Sequence, residues 1–310
     1  MKILITGAAG FIGSNLADSL LRKNHDVIGI DNLAYGKKEQ IPEDVEFHKL
    51  DIRDKEIYSL FKDVDYVFHL AAKNCLSDCQ KDPLETADIN ITGTLNIFDA
   101  ALKNNVKKVI YAETSALYEN SNLLPTPETE IKPNGFYAIS KACSHLFADG
   151  YKKFKGLNFT GLRYFNVYGP RQDYRRSIPP VMSAFIIKLL KNEAPIIYGN
   201  GKKKRDFIHV DDINDFHLLC LRDKRTDGKY FNLGTGRNYS ILELYNMISK
   251  MLNVKISPVF KDNLEGEAFE TLADITEARK IGWESKTDIN SGLKTMIDYI
   301  KKEIEKGIIQ

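Results

Sequence analysis

Charge of one sign is what this chain most lacks. Against 44 lysines and arginines stand 42 aspartates and glutamates, a formal net charge of +2 over 310 residues. A field that weak gives no electrostatic case for nucleic acid or an anionic membrane as a partner. Long apolar runs are missing too. The longest candidate, around Ile178–Leu190, is interrupted by Pro179, Pro180 and Lys188, whereas a membrane span needs about 20 apolar residues. Cysteine is scarce, with four residues at positions 75, 79, 143 and 220. Cys75 and Cys79 are four apart and have no matching His/Cys pair elsewhere, so reduced thiols are expected, not a zinc site or a disulfide framework. The first apolar stretch, Lys2-Ile3-Leu4-Ile5-Thr6, is too short for a secretory signal, and no signal peptide is expected ahead of it. The expectation is a cytoplasmic protein without metal.

What is present is ordinary for a folded globular chain: 43% hydrophobic and 28% charged residues. The first 165 residues alternate short apolar runs with helical periodicity. Strands are predicted at Lys2–Thr6, Asp26–Ile30, Val45–Leu50, Asp65–Leu70, Lys107–Ala112 and Asn158–Tyr164. Helices are predicted at Phe11–Lys23, Asp54–Phe61, Leu84–Asn104 and Gly135–Lys155. Buried-type strands separated by helices mean βαβ units and a parallel sheet. After about Arg171 the rhythm changes to helices at Pro179–Lys191, Asp212–Leu221 and Ile289–Lys306, with short strands at Ile196–Tyr198, Phe207–Val210 and Val254–Phe260. A further helix opens at Ser240, where Glu243 completes a capping box. The expected division is 1–170 and 171–310, with some exchange of chain between the lobes and no flexible linker.

Gly7-Ala8-Ala9-Gly10-Phe11-Ile12-Gly13 falls between the first strand and the first helix. Glycines there let the backbone turn tightly and approach a pyrophosphate, whose charge suits the free N–H groups of the helix start. Asp31 ends the second strand, eighteen residues beyond Gly13. A carboxylate at that point accepts ribose hydroxyls and repels a 2′-phosphate, which favours NAD over NADP. Lys37 and Lys38 argue the other way. Asp51-Ile52 ends the third strand, where an adenine ring would lie; a loop cap is the plain alternative.

Tyr137 and Lys141 are four apart at the start of a predicted helix and share one face. An ammonium beside a phenol favours phenolate. Free tyrosine titrates near 10, so work at neutral pH requires a drop of roughly three units, about 4 kcal/mol. The pair is common by chance; its place over the end of the sheet gives it weight.

Together these motifs resemble the extended short-chain dehydrogenase/reductase family, in its nucleotide-sugar branch, almost end to end. The likeness extends through His69-Leu70-Ala71-Ala72, Asn90 with Gly93-Thr94, Leu162-Arg163-Tyr164-Phe165-Asn166-Val167-Tyr168-Gly169-Pro170-Arg171, and Arg205-Asp206-Phe207-Ile208-His209-Val210-Asp211-Asp212. It implies an α/β fold: a Rossmann-type doubly wound parallel sheet with a smaller C-terminal lobe for a nucleoside-diphosphate sugar. It adds Asn32, Leu70, Ala71, Ala72, Asn90 and Phe165 to the NAD-binding residues.

Within that branch, sugar-nucleotide dehydratases carry an Asp-Glu pair where this chain has Ser115 and Ala116, and UDP-glucuronate decarboxylases carry Glu at the latter. The absence of a carboxylate leaves proton traffic to Tyr137 and Ser115, with Lys141. That pattern resembles the UDP-glucose 4-epimerases, though some reductases share it and a UDP-glucuronate 4-epimerase fits it as well. A non-catalytic NAD sensor would ordinarily lack the pair. Glu119 stands where glycine is usual, with no chemical account. By resemblance, Asn166 and Arg205 contact the substrate diphosphate, Glu267 the uridine ribose and Phe207 the nucleotide pocket, although Phe207 is equally a core residue. Leu264 replaces a customary phosphate-binding Arg, for which Lys202–Lys204 or Lys261 are substitutes unless the lysine run is a solvated loop. Thr271 stands where other members have a bulky aromatic and would admit an N-acetyl group, or is simply a strand residue. A homodimer through the helices near Leu84 and Gly135 is implied by resemblance alone.

Overall fold

The computed structural model describes residues 1–176, 178–263 and 267–309. Along the chain, β1 (Lys2–Thr6) leads to α1 (Phe11–Leu21), β2 (Asp26–Ile30), β3 (Glu46–His48), a 3-10 segment at Lys55–Phe61, and β4 (Tyr66–His69). Next come α2 (Leu76–Lys81), α3 (Pro83–Ala87), a π-helical turn at Asp88–Gly93 and α4 (Thr94–Lys103). They are followed by β5 (Lys108–Thr114), α5 (Gly135–Lys155), β6 (Phe159–Tyr164), β7 (Asn166–Tyr168), α6 (Val181–Leu190), β8 (Ile196–Tyr198), β9 (Lys204–His209) and α7 (Val210–Cys220). The remainder is β10 (Lys229–Leu233), β11 (Asn238–Ser240), α8 (Ile241–Leu252), β12 (Val259–Lys261), α9 (Thr276–Lys280) and α10 (Ile289–Glu305).

Two compact units emerge. The first comprises Met1–Ser121, Glu128–Tyr164 and Asn214–Asn232. It holds a seven-stranded sheet in the order β10-β6-β5-β4-β1-β2-β3. The pairs β1/β2, β1/β4, β2/β3, β4/β5 and β5/β6 are all parallel. Four of the five β1 residues and all six of β6 are buried, as strands covered on both faces must be. The crossovers run one way from β1 through β3 and the other way from β4 through β6, so the direction reverses between β1 and β4. A ligand crevice belongs at the C-terminal ends of the strands at such a switch point.

The second unit comprises Asn122–Pro127, Phe165–Ile213 and Leu233–Gln310. It contains the three-stranded sheet β11-β9-β7 and the two-stranded sheet β12-β8. Its core gathers Phe185, Ile186 and Leu189 of α6, Leu244 and Ile248 of α8, and Leu293, Met296 and Ile297 of α10 around Tyr168 and Phe207. The capping box at α8 is formed: Glu243 N donates to Ser240 Oγ at 3.1 Å and Ser240 N to Glu243 Oε2 at 2.7 Å.

Several elements depart from expectation. The segment after Asp54 is 3-10 and not α. The long helix expected from Leu84 is divided by the π-turn. The strand expected at Val254–Phe260 shrinks to Val259–Lys261, because Pro258 has no N–H to give a ladder. β10, a short run with Asn232 in its middle, was not anticipated, yet it closes the edge of the main sheet.

Candidate functional site

The glycine turn sits at the end of β1, where Gly7 has φ of +74°. A Cβ on Gly7 would fall 2.8 Å from Ala71 N, and one on Gly13 would fall 2.1 Å from Gly7 O. Only glycine lets the turn close against the chain leaving β4 and lets α1 start so near to β1. Gly10 N donates to Gly7 O at 3.0 Å, and Gly10 begins α1 without a side-chain cap. The N–H groups of Phe11, Ile12 and Gly13 open the helix, where no intrahelical partner exists for them. This cradle has the shape and polarity a pyrophosphate requires, so the residues fit a dinucleotide.

Asp31 follows β2 and is braced from both sides: Ala9 N donates to its Oδ2 at 3.0 Å and Leu33 N to its Oδ1 at 2.8 Å. Burial raises its pKa, with those two amides pulling it back. Its neighbour Asn32 donates to Asp51 Oδ2 at 2.9 Å. Asp51 is also gripped by Arg53, which holds its carboxyl down at about 2. Asp51 is therefore a loop cap as well as a member of this edge. Ile52 is buried.

The chain leaving β4 carries Leu70, Ala71 and Ala72. Leu70 N donates to Thr6 O at 3.1 Å and Ala71 N to Thr6 Oγ1 at 3.3 Å. Beneath it, His69 is sealed between Thr6 Oγ1 at 2.7 Å and Thr94 Oγ1 at 2.9 Å. Burial, then the charge of Lys141, depress it to about 3, so it is neutral. Asn90 lies in the π-turn, a feature common at functional sites. Its Oδ1 accepts from Lys73 N at 2.8 Å, and its Nδ2 donates to Lys73 O at 2.9 Å and to Ser140 Oγ at 3.0 Å. Asn90 thus ties the loop after β4 to α5.

On α5, Tyr137 is half-buried and Lys141 is buried one turn later. Lys141 Nζ donates to Ala112 O at 2.9 Å, next to the end of β5. Burial lowers its pKa to about 8, against the opposing pull of Glu113. Ser115 begins the 3-10 turn that follows β5 and is half-buried. Thr114, which the sequence reading passed over, is the last residue of β5, and its Oγ1 accepts from Ala116 N at 3.1 Å. It is a second hydroxyl at the same strand end. The signal was its place directly before Ser115.

Glu113 is the carboxylate closest in sequence to these hydroxyls, and it is occupied. It accepts from Arg163 Nε at 2.7 Å and Tyr111 Oη at 2.8 Å, and lies 3.2 Å from His145 Nδ1. Burial would raise it, but His145 and Arg163 hold it below the usual range. At 2% exposure, its oxygens are committed to these partners. Among the described residues, no group of three or more His, Cys, Asp or Glu is arranged to hold a metal ion.

The other predicted residues lie in the second unit. Asn166 opens β7 and pairs in register with Phe207 of β9. Thr271 Oγ1 lies 3.5 Å from Asn166 Oδ1 and accepts from Asp206 N at 3.3 Å. Arg205 Nη2 is 3.3 Å from Glu267 Oε1. The unit therefore brings Asn166, Arg205, Glu267 and Thr271 around β9. Phe207 is buried in the apolar core beside Tyr168, with ring centroids 6.5 Å apart. Phe165 is buried too, its N–H donating to Leu233 O at 3.0 Å. Leu264 lies outside the described residues.

Known proteins are similar to this chain in sequence and fold. The chain is 31% identical to the UDP-glucose 4-epimerase of Mycolicibacterium smegmatis over 98% of its own length and 99% of the relative's. It superposes with a TM-score of 0.95 on the UDP-glucose 4-epimerase of Thermotoga maritima, solved with UDP-glucose, at 35% identity over 98% of this chain and 100% of that one. The UDP-N-acetylglucosamine 4-epimerase of Methanobrevibacter ruminantium, solved with UDP-N-acetylmuramic acid, gives 0.93 at 35% identity over 97% of this chain and 98% of that one. The model of the NAD-dependent epimerase/dehydratase family matches residues 3–234, and the chain belongs to that family.

Proposed function

We propose that this protein is an NAD-dependent isomerase that inverts C4 of a UDP-hexose, interconverting UDP-glucose with UDP-galactose and the N-acetylated pair, through a transient 4-keto sugar. The observation that carries this reading is the end of β5. There a buried Lys141, one turn along α5 from Tyr137, bonds Ala112 O of β5, Ser115 and Ala116 stand where a carboxylate pair would act, and the adjoining carboxylate of Glu113 is bound to Arg163. Such a site can move a proton on and off a sugar oxygen but has no acid to expel water.

Bound NAD would supply the redox chemistry, taking and returning one hydride at C4. The glycine turn and α1 hold its pyrophosphate, Asp31 and Asn32 its adenosine ribose, and Asp51 and Ile52 border the adenine. Leu70, Ala71, Ala72 and Asn90 shape the floor beneath the cofactor, and Phe165 completes its surroundings. Tyr137, as phenolate, removes the C4 hydroxyl proton and, once the 4-keto sugar has turned its other face to the cofactor, returns it to the C4 oxygen. Ser115, with Thr114 beside it, hydrogen-bonds that oxygen. Lys141 holds the nicotinamide ribose, and its ammonium favours the phenolate. Asn166 and Arg205 hold the diphosphate, Arg205 through its bidentate fork. Glu267 accepts from the uridine ribose, and Phe207 backs the nucleotide pocket.

The enzyme works as a cytoplasmic homodimer. No helix among the described residues is long and apolar enough to cross a membrane. α5 leaves Phe136, Ile139, Leu146, Phe147 and Phe154 exposed, and Leu84 of α3 is 84% exposed. Such a face is characteristic of a surface between subunits. Incubation with UDP-glucose, UDP-N-acetylglucosamine and UDP-glucuronate, each followed for its C4 epimer, tests the reaction. Conversion of the first two supports it. Turnover of none, or of UDP-glucuronate alone, overturns it.

A further inference from the structure

Lys203 immediately precedes β9 and Arg205 is its second residue, and both side chains reach Glu267. Both are 9% exposed. Lys203 Nζ donates to Glu267 Oε2 at 2.6 Å, while Arg205 Nη2 lies 3.3 Å from Oε1 of the same carboxylate. One carboxylate therefore spans two nearly desolvated cations, each facing a different oxygen.

Three other acidic groups of this unit are bonded elsewhere. Asp206 belongs to the opposite face, where the N–H groups of Thr235, Gly236 and Ala273 bind it at 2.8, 3.0 and 3.1 Å. Glu270 accepts from Asn238 at 2.6 Å, and Glu243 caps Ser240. Lys202 and Lys204 are exposed and add to the positive side. The Glu267 side chain is itself one-third exposed, so it can swing off the two cations when a stronger anion arrives and meet the uridine ribose.

We propose that Lys203 is a second diphosphate ligand: with Arg205 it forms a two-cation clamp, and Glu267 occupies the phosphate seat until substrate displaces it. This rests on the UDP-sugar reading above. The division of labour follows from the two head groups. Arg205 offers a planar fork to two oxygens of one phosphate, whereas Lys203 offers a compact charge that can meet an oxygen of the other. A carboxylate bridging the two at 2.6 and 3.3 Å shows that the cations are already spaced for a single polyoxygen anion.

The test is calorimetric titration of UDP and UMP into the NAD-loaded protein, comparing wild type with Lys203→Met and measuring thermal unfolding alongside. Wild type should bind UDP more tightly than UMP. Lys203→Met should weaken UDP by about tenfold, the scale of one charge-assisted hydrogen bond, and UMP much less. Lys203→Arg should restore most of the UDP preference. An unchanged UDP/UMP ratio in Lys203→Met overturns the clamp and leaves only a structural ion pair, which would show as lost thermal stability. A wild type that binds neither nucleotide overturns the UDP-sugar reading and the clamp with it. Glu267→Gln gives an independent measure with inorganic pyrophosphate, which has no ribose. Emptying the seat of its charge should tighten pyrophosphate severalfold, and unchanged or weaker binding also overturns the proposal.

Discussion

Lys141 Nζ donates to the carbonyl oxygen of Ala112 at 2.9 Å. That bond fastens the helix carrying Tyr137 to the strand that ends at Thr114, directly before Ser115. It also keeps an ammonium inside the protein, where burial depresses its pKa to about 8. On the proposed mechanism that charge favours phenolate on Tyr137, and keeping it buried costs folding stability.

That expense has a definite pH signature. Lys141 titrates near 8 in the folded protein and near an ordinary 10.5 when exposed. Below 8 both states carry the proton and the folded state bears the full penalty. Between 8 and 10.5 the unfolded chain binds a proton that the folded protein has released, so this group adds stability as pH rises. The whole difference amounts to about 3 kcal/mol at 1.36 kcal/mol per unit, less about 1 kcal/mol for the bond to Ala112. Lys141→Met, freed of nucleotide, should therefore melt at or above the wild-type temperature at pH 7. Its advantage should shrink as pH climbs past 8. A variant clearly less stable than wild type at pH 7 would show that Lys141 is not penalised by burial.

Tyr137→Phe should abolish turnover while NAD stays bound. Only the phenol hydroxyl can relay the C4 proton, whereas the ring still packs on α5. Losing a general base typically costs about 10²- to 10⁴-fold in rate. Epimer formation by the purified variant is the measurement, and retention of wild-type activity would remove Tyr137 from the role of base.

NAD, and not NADP, should be released when the purified protein is denatured and its supernatant analysed by mass spectrometry. The reason is Asp31, whose two oxygens are held by Ala9 and Leu33 amides 3.0 and 2.8 Å away. A fixed carboxylate there accepts ribose hydroxyls and repels a 2′-phosphate. Recovery of mainly NADP would contradict that reading and turn attention to Lys37 and Lys38.

The glycine turn and the helix face of Tyr137 and Lys141 were readable from sequence because both are local. Gly7, Gly10 and Gly13 act through their own backbone, and Tyr137 and Lys141 share a helix face by spacing alone. Features built by pairing across the chain were not readable. β10 joins the main sheet beside β6 although nothing local marks it. The π-turn that presents Asn90 is stabilised by Ser144, whose Oγ donates to Asn90 O at 2.9 Å from 54 residues away. Glu113 looks available in the sequence. Only the fold shows Arg163, Tyr111 and His145 converging on it. The lysine run was ambiguous for the same reason: Lys202 and Lys204 are exposed while Lys203 turns inward to Glu267.

Sugar choice should turn on Thr271. Its Oγ1 lies 3.5 Å from Asn166 Oδ1 and accepts from Asp206 N at 3.3 Å, which places a small, half-buried side chain beside a proposed diphosphate ligand. On the epimerase reading it faces the C2 substituent of the hexose. A bulky aromatic there would leave space for a hydroxyl and crowd an N-acetyl group. Thr leaves room for both, and its hydroxyl can bond the acetamido group. A clash in a packed site costs roughly 1–3 kcal/mol, or about 5- to 150-fold. Thr271→Tyr should therefore cut kcat/KM for UDP-N-acetylglucosamine by at least about tenfold and spare UDP-glucose. Thr271→Ser, which keeps the hydroxyl and the space, should leave both substrates near wild type. The two ratios separate specificity from damage: loss on both sugars alike would mean that the bond to Asp206 N is structural, and loss on neither would mean that another residue bounds the C2 pocket.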